Sequence, residues 1–154
     1  MKQTIAIKLN GEVRQVDVLA SDILLDVLRE KLGVKSPKVG CEAGECGACT
    51  VRLDGKTVRS CLVLAVEADG SEVITVEGLG ADHMTVLQQA FLDHNAFQCG
   101  YCAPGMVLSA TELLEKKPHP EAADVKAALS GNLCRCTGYV PIIAAVLDAS
   151  EQGS

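Results

Sequence analysis

The sequence predicts an α+β protein in two parts, a small mixed β-sheet packed on one helix and then a four-helix unit. Three observations lead to this prediction. Apolar and polar residues alternate in the first half, as in half-buried strands. In the second half the apolar residues recur every three or four positions, as in amphipathic helices. Gly78 and Gly80 lie where the pattern changes, so we expect domains at residues 1–77 and 78–154.

Two hairpins and one helix account for the first half. The hairpins turn at Asn10-Gly11 and Asp54-Gly55, which are dipeptides typical of two-residue turns. Between them, Ser21 or Asp22 is expected to cap a helix that Gly33 ends. The first strand is predicted from the apolar residues Ile5, Ile7 and Leu9, and its returning partner from Val13, Val16 and Val18. The helix is predicted from Leu24, Leu25, Val27, Leu28 and Leu32, and the last strand from Val73 to Val76.

The second half is expected to consist of four helices. Prolines suit the first turn of a helix, and Pro104 and Pro141 each stand near such a start. Residues 151–154 are expected to form a frayed tail. The predicted helices run from Thr85 to His94, from about Pro104 to Lys116, from Glu121 to Leu129, and from Pro141 to Leu147.

The composition argues against several classes of function. The 154-residue chain has a formal net charge of −6, two Phe, two Tyr and no Trp, so it offers neither a basic stripe nor stacking platforms for nucleic acid. No apolar run approaches the roughly 18 residues that span a membrane. The N-terminal residues lack the pattern of a signal peptide, so we expect a cytoplasmic protein. In that reducing compartment, eight cysteines at motif spacing are more often metal ligands than disulfides.

The stretch from Gly40 to Cys49 reads G-C-E-A-G-E-C-G-A-C and carries the first chemical signal. Its cysteines, Cys41, Cys46 and Cys49, follow the spacing C-x4-C-x2-C, and Cys61 follows at a distance, as in plant-type [2Fe-2S] ferredoxins. The glycines between them let the backbone approach a cluster closely. The alternative is a zinc site, but zinc sites usually pair cysteines as two separate C-x2–4-C knuckles. The spacing therefore predicts an iron–sulfur loop.

A second group of cysteines consists of two pairs, Cys99 with Cys102 and Cys134 with Cys136. Each pair stands just before a predicted helix, where free N–H groups and the positive end of the helix dipole would stabilise thiolates. Four such ligands suffice for another [2Fe-2S] cluster or for zinc. We favour the cluster, because C-x-C is cramped for a zinc knuckle and the first loop already predicts iron and sulfur.

Three runs, C-E-A-G-E-C-G-A-C, Q-C-G-Y-C-A-P-G and G-N-L-C-R-C-T-G-Y, together resemble the small iron–sulfur subunit of the xanthine dehydrogenase and molybdenum hydroxylase family. The resemblance covers nearly the whole chain in the right order. It implies an N-terminal β-grasp domain of the plant-type ferredoxin kind and a C-terminal helical domain, each holding one [2Fe-2S] cluster. It also implies two partners, a large subunit with a molybdopterin cofactor and, in most members, a medium subunit with FAD.

The resemblance further implies roles for single residues. Gln98 would lie within hydrogen-bonding reach of the pterin, and Cys136 would be the ligand closest to it. The family more often has Thr at the position of Ala103 and Phe at that of Tyr101, neither of which is a ligand. The ligands would be Cys41, Cys46, Cys49 and Cys61 for an outer cluster that faces the flavin, and Cys99, Cys102, Cys134 and Cys136 for an inner cluster near the pterin.

These features together predict the electron-transfer subunit of a molybdenum-containing hydroxylase or dehydrogenase. Substrate would be oxidised on a partner chain, and two one-electron centres would pass the electrons to FAD or an external acceptor. The rival hypothesis is a free-standing two-cluster ferredoxin that shuttles between enzymes, and a third class is a zinc-stabilised interaction module. Substrate, pterin nucleotide, flavin content and dimerisation of the complex depend on other chains and stay open.

Overall fold

The computed structural model describes residues 1–80 and 82–153, and its fold is α+β, as predicted. The first half forms one five-stranded sheet in the order β2-β1-β5-β3-β4, in which β1 and β5 are parallel and the other neighbours antiparallel. Val13 pairs with the exposed Lys8, so it lies on the outer face of the sheet, opposite to Val16 and Val18, and is exposed. The strands are β1 (Lys2–Leu9), β2 (Glu12–Leu19), β3 (Thr50–Leu53), β4 (Lys56–Arg59) and β5 (Glu72–Ile74).

One helix packs on this sheet and completes the β-grasp arrangement. It begins as α1 (Leu24–Asp26) and continues as a π-helical turn (Val27–Lys31), and Gly33 follows with a φ of +74°. Its apolar face is buried as predicted, because Leu24 and Leu28 enter the core beneath β1 and β5. Three short 3-10 turns, Ser60–Leu62, Ala65–Ala68 and Val76–Gly78, connect the later elements.

The predicted cap of this helix is wrong. The residue before α1 is Ile23, and neither Ser21 nor Asp22 caps it. Asp22 instead accepts hydrogen bonds from the Leu19 N–H (3.0 Å) and from the Lys31 ammonium group (2.6 Å). The free N–H of Leu24 donates instead to the Val63 carbonyl over 2.8 Å. A contact remote in sequence therefore replaces the local cap.

The second half contains the four predicted helices. They surround their own apolar core, which includes Phe91, Met106, Val125 and Ile142. The last helix extends beyond the predicted end, because Ala149 is buried against this core and the helix continues through Gln152. The expectation of a frayed tail is therefore wrong for residues 151 and 152, and Ser154 lies outside the described residues. The helices are α2 (Val86–Asp93), α3 (Ala103–Lys116), α4 (Ala122–Ala128) and α5 (Val140–Gln152).

Polar contacts join the two halves where α3 lies against β3 and β4. Arg52 binds the Glu115 carboxylate through both terminal nitrogens (2.7 and 2.6 Å). Glu112 accepts hydrogen bonds from the Thr57 N–H (2.9 Å) and from the Thr57 hydroxyl. The buried residues of the sheet core end in sequence at Val73 and those of the helical core begin at Leu87, while Val76 packs against the helical core. The division into two domains at residues 77 and 78 stays a prediction. Among the described residues, no helix is both long and apolar enough to cross a membrane.

Candidate iron–sulfur sites

The first cysteine group is built on the loop that precedes β3. The exposed Cys41 has a sulfur that accepts hydrogen bonds from the backbone N–H groups of Ala43 (3.3 Å), Glu45 (3.3 Å) and Cys46 (3.4 Å). These bonds favour the thiolate and lower the pKa of Cys41 to about 6, and the neighbouring Cys46 thiol adds to the effect. The loop, chiefly through its backbone, therefore creates a place for a negatively charged sulfur.

Cys49 and Cys61 complete this group from the buried side. Cys49 directly precedes β3 and Cys61 follows β4, so the β3–β4 hairpin brings their Sγ atoms to 3.3 Å. Ser60 fixes the turn, since its N–H (3.3 Å) and its hydroxyl (2.6 Å) both donate to the Cys49 carbonyl. Burial and the adjacent Cys49 thiol raise the pKa of Cys61 to about 11. The fourth cysteine thus reaches the loop through a hairpin, as the sequence predicted.

A glycine gives the Cys46 thiol its space. A Cβ atom at Gly40 would lie 2.6 Å from Cys46 Sγ, far closer than two such atoms can approach without one of them moving. The backbone at Gly40 does not require glycine, because its φ is not positive. Glycine at this position is therefore explained by the sulfur that lies against it.

The second group joins two loops that are distant in sequence. Cys99 and Cys102 lie in the loop before α3, and Cys134 and Cys136 lie in the loop before α5. The Cys99 and Cys136 sulfurs are 3.7 Å apart, and the Cys102 and Cys134 thiols are within hydrogen-bonding reach of each other. The structure therefore brings the four cysteines of the predicted second group together, two from the start of each helix.

The two more buried thiols of the second group have unequal surroundings. Burial and the neighbouring Cys134 thiol raise the pKa of Cys102 to about 12. Burial also raises the pKa of Cys134, but hydrogen bonds from Thr137 and Cys136 outweigh it and lower that pKa. Thr137 Oγ1 lies 3.1 Å from Cys134 Sγ, and the Tyr139 hydroxyl accepts a hydrogen bond from the Cys134 N–H over 2.9 Å. At Cys134 the Thr137 side chain therefore adds to the backbone hydrogen bonds that stabilise the thiolate.

Gln98 and Cys136, which the resemblance assigns to the pterin side, are neighbours in the structure. The Gln98 side-chain amide donates to the Cys136 carbonyl over 3.1 Å, although the residues are 38 positions apart. Both residues are exposed, and so is Cys99. One edge of the second group therefore lies at the protein surface.

Three aromatic or hydroxyl residues contribute to the sites in ways that the sequence analysis missed. Thr137 and Tyr139 contact Cys134, as described above, and the Tyr101 hydroxyl donates to the carbonyl of Val39, just before the first cysteine loop. A phenylalanine at this position would lack the hydroxyl for this bond. The available signal was that all three lie inside the cysteine motifs themselves.

The arrangement of the thiols fits two-iron clusters. Two thiolates on one tetrahedral metal, each at about 2.3 Å, lie about 3.8 Å apart. In both groups the sulfurs approach in pairs near this spacing, as Cys49 with Cys61 and Cys99 with Cys136 show. Within residues 1–80 and 82–153, no three Cys, His, Asp or Glu side chains surround a point where a single ion could bind. A pair of thiolates for each of two irons satisfies this geometry, and binding would release the thiol protons.

Comparisons with known families agree with this chemistry. Residues 7–80 match the family described as "2Fe-2S iron-sulfur cluster binding domain", and residues 75–147 match the family described as "[2Fe-2S] binding domain". The fold, the two cysteine groups and these matches define a protein with two [2Fe-2S] binding units.

Similar whole chains narrow the class further. The nicotinate dehydrogenase small FeS subunit of Eubacterium barkeri is 51% identical over 152 residues, which are 98% of this chain and 97% of the relative. The nicotine 6-hydroxylase small subunit of Paenarthrobacter nicotinovorans is 51% identical over 148 residues, 96% of this chain and 90% of the relative. A chain in the crystal structure of quinoline 2-oxidoreductase from Pseudomonas putida 86 superposes with a TM-score of 0.94 at 43% identity and covers 97% of this chain and 94% of its own length.

The chain belongs to the small iron–sulfur subunits of the xanthine dehydrogenase and molybdenum hydroxylase family. This confirms the resemblance on which the sequence analysis relied.

Proposed function

We propose that the two cysteine groups are the ligand sets of two [2Fe-2S] clusters. Each group consists of four convergent thiols, and the sulfurs in each group approach in pairs. Each group also stabilises negative sulfur in its own way, through backbone N–H groups at Cys41 and through Thr137 at Cys134. The proposed ligands are Cys41, Cys46, Cys49 and Cys61 in the outer site and Cys99, Cys102, Cys134 and Cys136 in the inner site.

The chain is the electron-transfer subunit of a molybdenum-containing oxidoreductase that also has a larger partner subunit. When bound, the clusters supply one-electron storage and transfer. The residues of this chain hold the ligands at fixed positions, cover the buried sulfurs and leave one edge of each group exposed. Substrate chemistry takes place on a partner chain.

The observation that carries the finer proposal is the position of the exposed cysteines. Cys41 is exposed at the outer site, and Cys99 and Cys136 are exposed at the inner site. Inside the protein, the loops that carry the two groups are in contact, because the Leu133 N–H donates to the Cys46 carbonyl. We place the molybdopterin of the large subunit against the inner edge, beside Gln98 and Cys136. We place an FAD subunit, or an external acceptor, against the outer edge beside Cys41. Electrons would then enter at one surface and leave at another.

The rival proposal, a free-standing ferredoxin shuttle, accounts for fewer observations. A shuttle needs one exposed cluster edge, whereas this chain has an exposed edge at each of two groups. The exposed Gln98 amide, bonded to the carbonyl of an exposed cysteine, suits a fixed docking partner. We also propose that the complex resides in the reducing cytoplasm, where cysteines at motif spacing are more often metal ligands than disulfides. We further propose that the complex dimerises, and the mass of the purified native complex tests this.

The test is the metal and flavin content of the native complex, purified through a tag on this chain. We expect about four irons per chain, from two two-iron clusters, together with molybdenum, FAD and a larger subunit. Four irons with no molybdenum and no co-purifying chain would favour the ferredoxin shuttle, and zinc in place of iron would overturn both proposals. Substrate screening should begin with pyridine and quinoline derivatives, because three similar chains belong to enzymes named for nicotinate, nicotine and quinoline.

A further inference from the structure

Glycines from three different cysteine motifs meet at one point between the two groups. Gly47 belongs to the outer loop, Gly105 lies in the first turns of α3, and Gly131 precedes the inner Cys134. A Cβ atom on Gly105 would lie 2.4 Å from the Gly47 carbonyl oxygen, and a Cβ on Gly47 would lie 2.4 Å from the Gly131 carbonyl oxygen. A side chain at Gly47 or Gly105 would therefore force the backbones of the two halves apart.

Asn132 occupies the centre of this contact. It is 2% exposed, and its amide nitrogen is 3.3 Å from both the Gly47 carbonyl oxygen and Thr50 Oγ1. Its amide oxygen accepts a hydrogen bond from the Ser109 hydroxyl over 2.9 Å. One buried side chain therefore ties the outer loop to α3 and to the loop that carries the inner cysteines. We call Gly47, Gly105, Gly131 and Asn132 the junction.

Arg59 adds a second tie at the same place. Its terminal nitrogens donate to Thr50 Oγ1 (2.9 Å) and to the Gly131 carbonyl (2.8 Å). A Cβ on Gly131 would lie 2.5 Å from the second of these nitrogens. The guanidinium group, two residues from Cys61, thus reaches the inner loop only because Gly131 lacks a side chain.

The junction is close to the proposed ligands in every segment that it joins. Gly47 lies between Cys46 and Cys49, and Asn132 is two residues from Cys134. Next to it, the Leu133 N–H donates to the Cys46 carbonyl over 2.8 Å. A shift at the junction would therefore move ligand-bearing backbone directly, with little intervening chain to absorb it.

We propose that the junction is a positioning device that sets the separation of the two clusters and hence the rate of electron transfer between them. This inference rests on the proposed function. The rate of electron tunnelling falls steeply with distance, so a fixed and short separation matters more than the stability of the contact. Directed hydrogen bonds and backbone contacts without intervening side chains fix such a separation, whereas flexible apolar side chains can repack.

The test uses the whole complex with two variants. Gly105→Ala inserts the Cβ against the Gly47 carbonyl, and Asn132→Leu keeps the side-chain size while removing its hydrogen bonds. For both we expect about four irons per chain and normal reduction of the inner cluster by substrate. We expect a changed dipolar splitting between the two EPR signals, and slower reduction of the outer cluster in freeze-quench experiments, by roughly ten- to a hundredfold.

Matched controls separate spacing from general damage. Gly153→Ala adds a Cβ at ordinary contact distance (3.4 Å from the Ala149 carbonyl), and Ser130→Ala removes a hydroxyl that bonds only within its own turn, to Ala127. Both should behave as wild type. If the Gly105→Ala complex loses iron, the splitting and the rate measured for the Asn132→Leu complex decide whether the junction sets the separation of the clusters. Wild-type splitting and rate in Asn132→Leu, or loss of its clusters, would overturn the inference, whereas an unsubstituted complex without four irons would overturn the proposed function instead.

Discussion

The two cysteine groups differ in how the chain builds them. The outer group is nearly local, because three of its cysteines share one loop and the fourth follows through a single hairpin. The inner group depends on tertiary structure, since Cys102 and Cys134 meet only when α3 and α5 pack in the same core. The surroundings of the thiols differ as well. The pKa of Cys41 is lowered mainly by backbone N–H groups of its loop, whereas at Cys134 the Thr137 side chain acts together with backbone groups of Thr137 and Cys136.

This difference implies that the outer site can form from its own segment, while the inner site is only as stable as the helical core beneath it. It also explains why the spacing of the outer cysteines indicates a cluster site without knowledge of the fold. A contiguous metal loop carries its geometry in its spacing, whereas two separated pairs become a site only through the fold.

The largest effect should come from removing one ligand in each group. We expect Cys46→Ser to lose the outer cluster alone, so that iron falls from about four to about two per chain and substrate still reduces the inner cluster. Cys134→Ser should give the reverse pattern, with the outer cluster retained. Iron analysis and EPR spectra of the two complexes measure both outcomes. Loss of both EPR signals in Cys46→Ser would contradict the independence of the two sites.

A weakened helical core should affect the inner site first. Ile142 is fully buried in α5, and Ile142→Ala should lower the free energy of unfolding by about 2–5 kcal/mol. We expect the inner EPR signal to disappear at a lower temperature than the outer one, because the cavity loosens the helices that carry its ligands. Ile7→Ala, in the sheet core, is the matched control and should reverse the order. If both variants lost the two signals together, the halves would unfold as one unit.

A smaller effect is expected from Gln98, which lies at the surface edge of the inner group. Gln98→Ala should leave both clusters intact and slow their reduction by substrate by roughly ten- to a hundredfold, because the amide no longer holds the Cys136 carbonyl. Gln89→Ala is a suitable control, since the Gln89 side chain is exposed and bonds only to Asp93 in its own helix. Single-turnover reduction followed by EPR makes the measurement. An unchanged rate would exclude Gln98 from the transfer path.

Much of the fold could be predicted from local patterns. The alternation in β1, the two hairpin dipeptides and the apolar stripes of α2 to α5 are short-range signals, and the structure contains each of these elements. The wrong cap at Asp22 shows the limit of such signals. The pairing of residues 22–24 with 63–65 supplies a long-range partner for the Leu24 N–H, and no local pattern announces that pairing.

The sites were predictable to a similar extent. Cysteine spacing and motif resemblance indicated two groups of four, but they did not show which sulfurs approach each other, as Cys99 and Cys136 do. They also gave no role to Asn132, because its partners Gly47 and Ser109 come from distant parts of the chain. From the sequence alone, a polar residue inside a metal motif cannot be distinguished from any other loop residue, because only the fold shows what it contacts.

The smallest effect is expected at the contact between the halves that lies away from both cysteine groups. Burial raises the pKa of Glu112, but hydrogen bonds from Lys116 and Thr57 outweigh it and lower the pKa from 4.5 to about 2. Because the folded pKa is the lower one, the carboxylate stabilises the protein fully above about pH 5, and this stabilisation is lost as the pH falls towards 2. Glu112→Gln should therefore cost about 1–2 kcal/mol at pH 7 and less at lower pH.

Urea unfolding at pH 7, 5 and 4 measures this difference, with EPR spectra taken at pH 7. We expect both spectra to match the wild type, because Glu112 joins α3 to the β4 edge of the sheet through Thr57 and bonds otherwise to Lys116 in its own helix. Glu115→Gln serves as the control for a more exposed carboxylate on the same helix, where solvent screens the charge and the loss should be smaller. A stability difference that stays constant with pH would mean that the Glu112 carboxylate is not the stabilising group. An altered EPR spectrum would mean that this contact, like the junction, determines the geometry of the cluster sites.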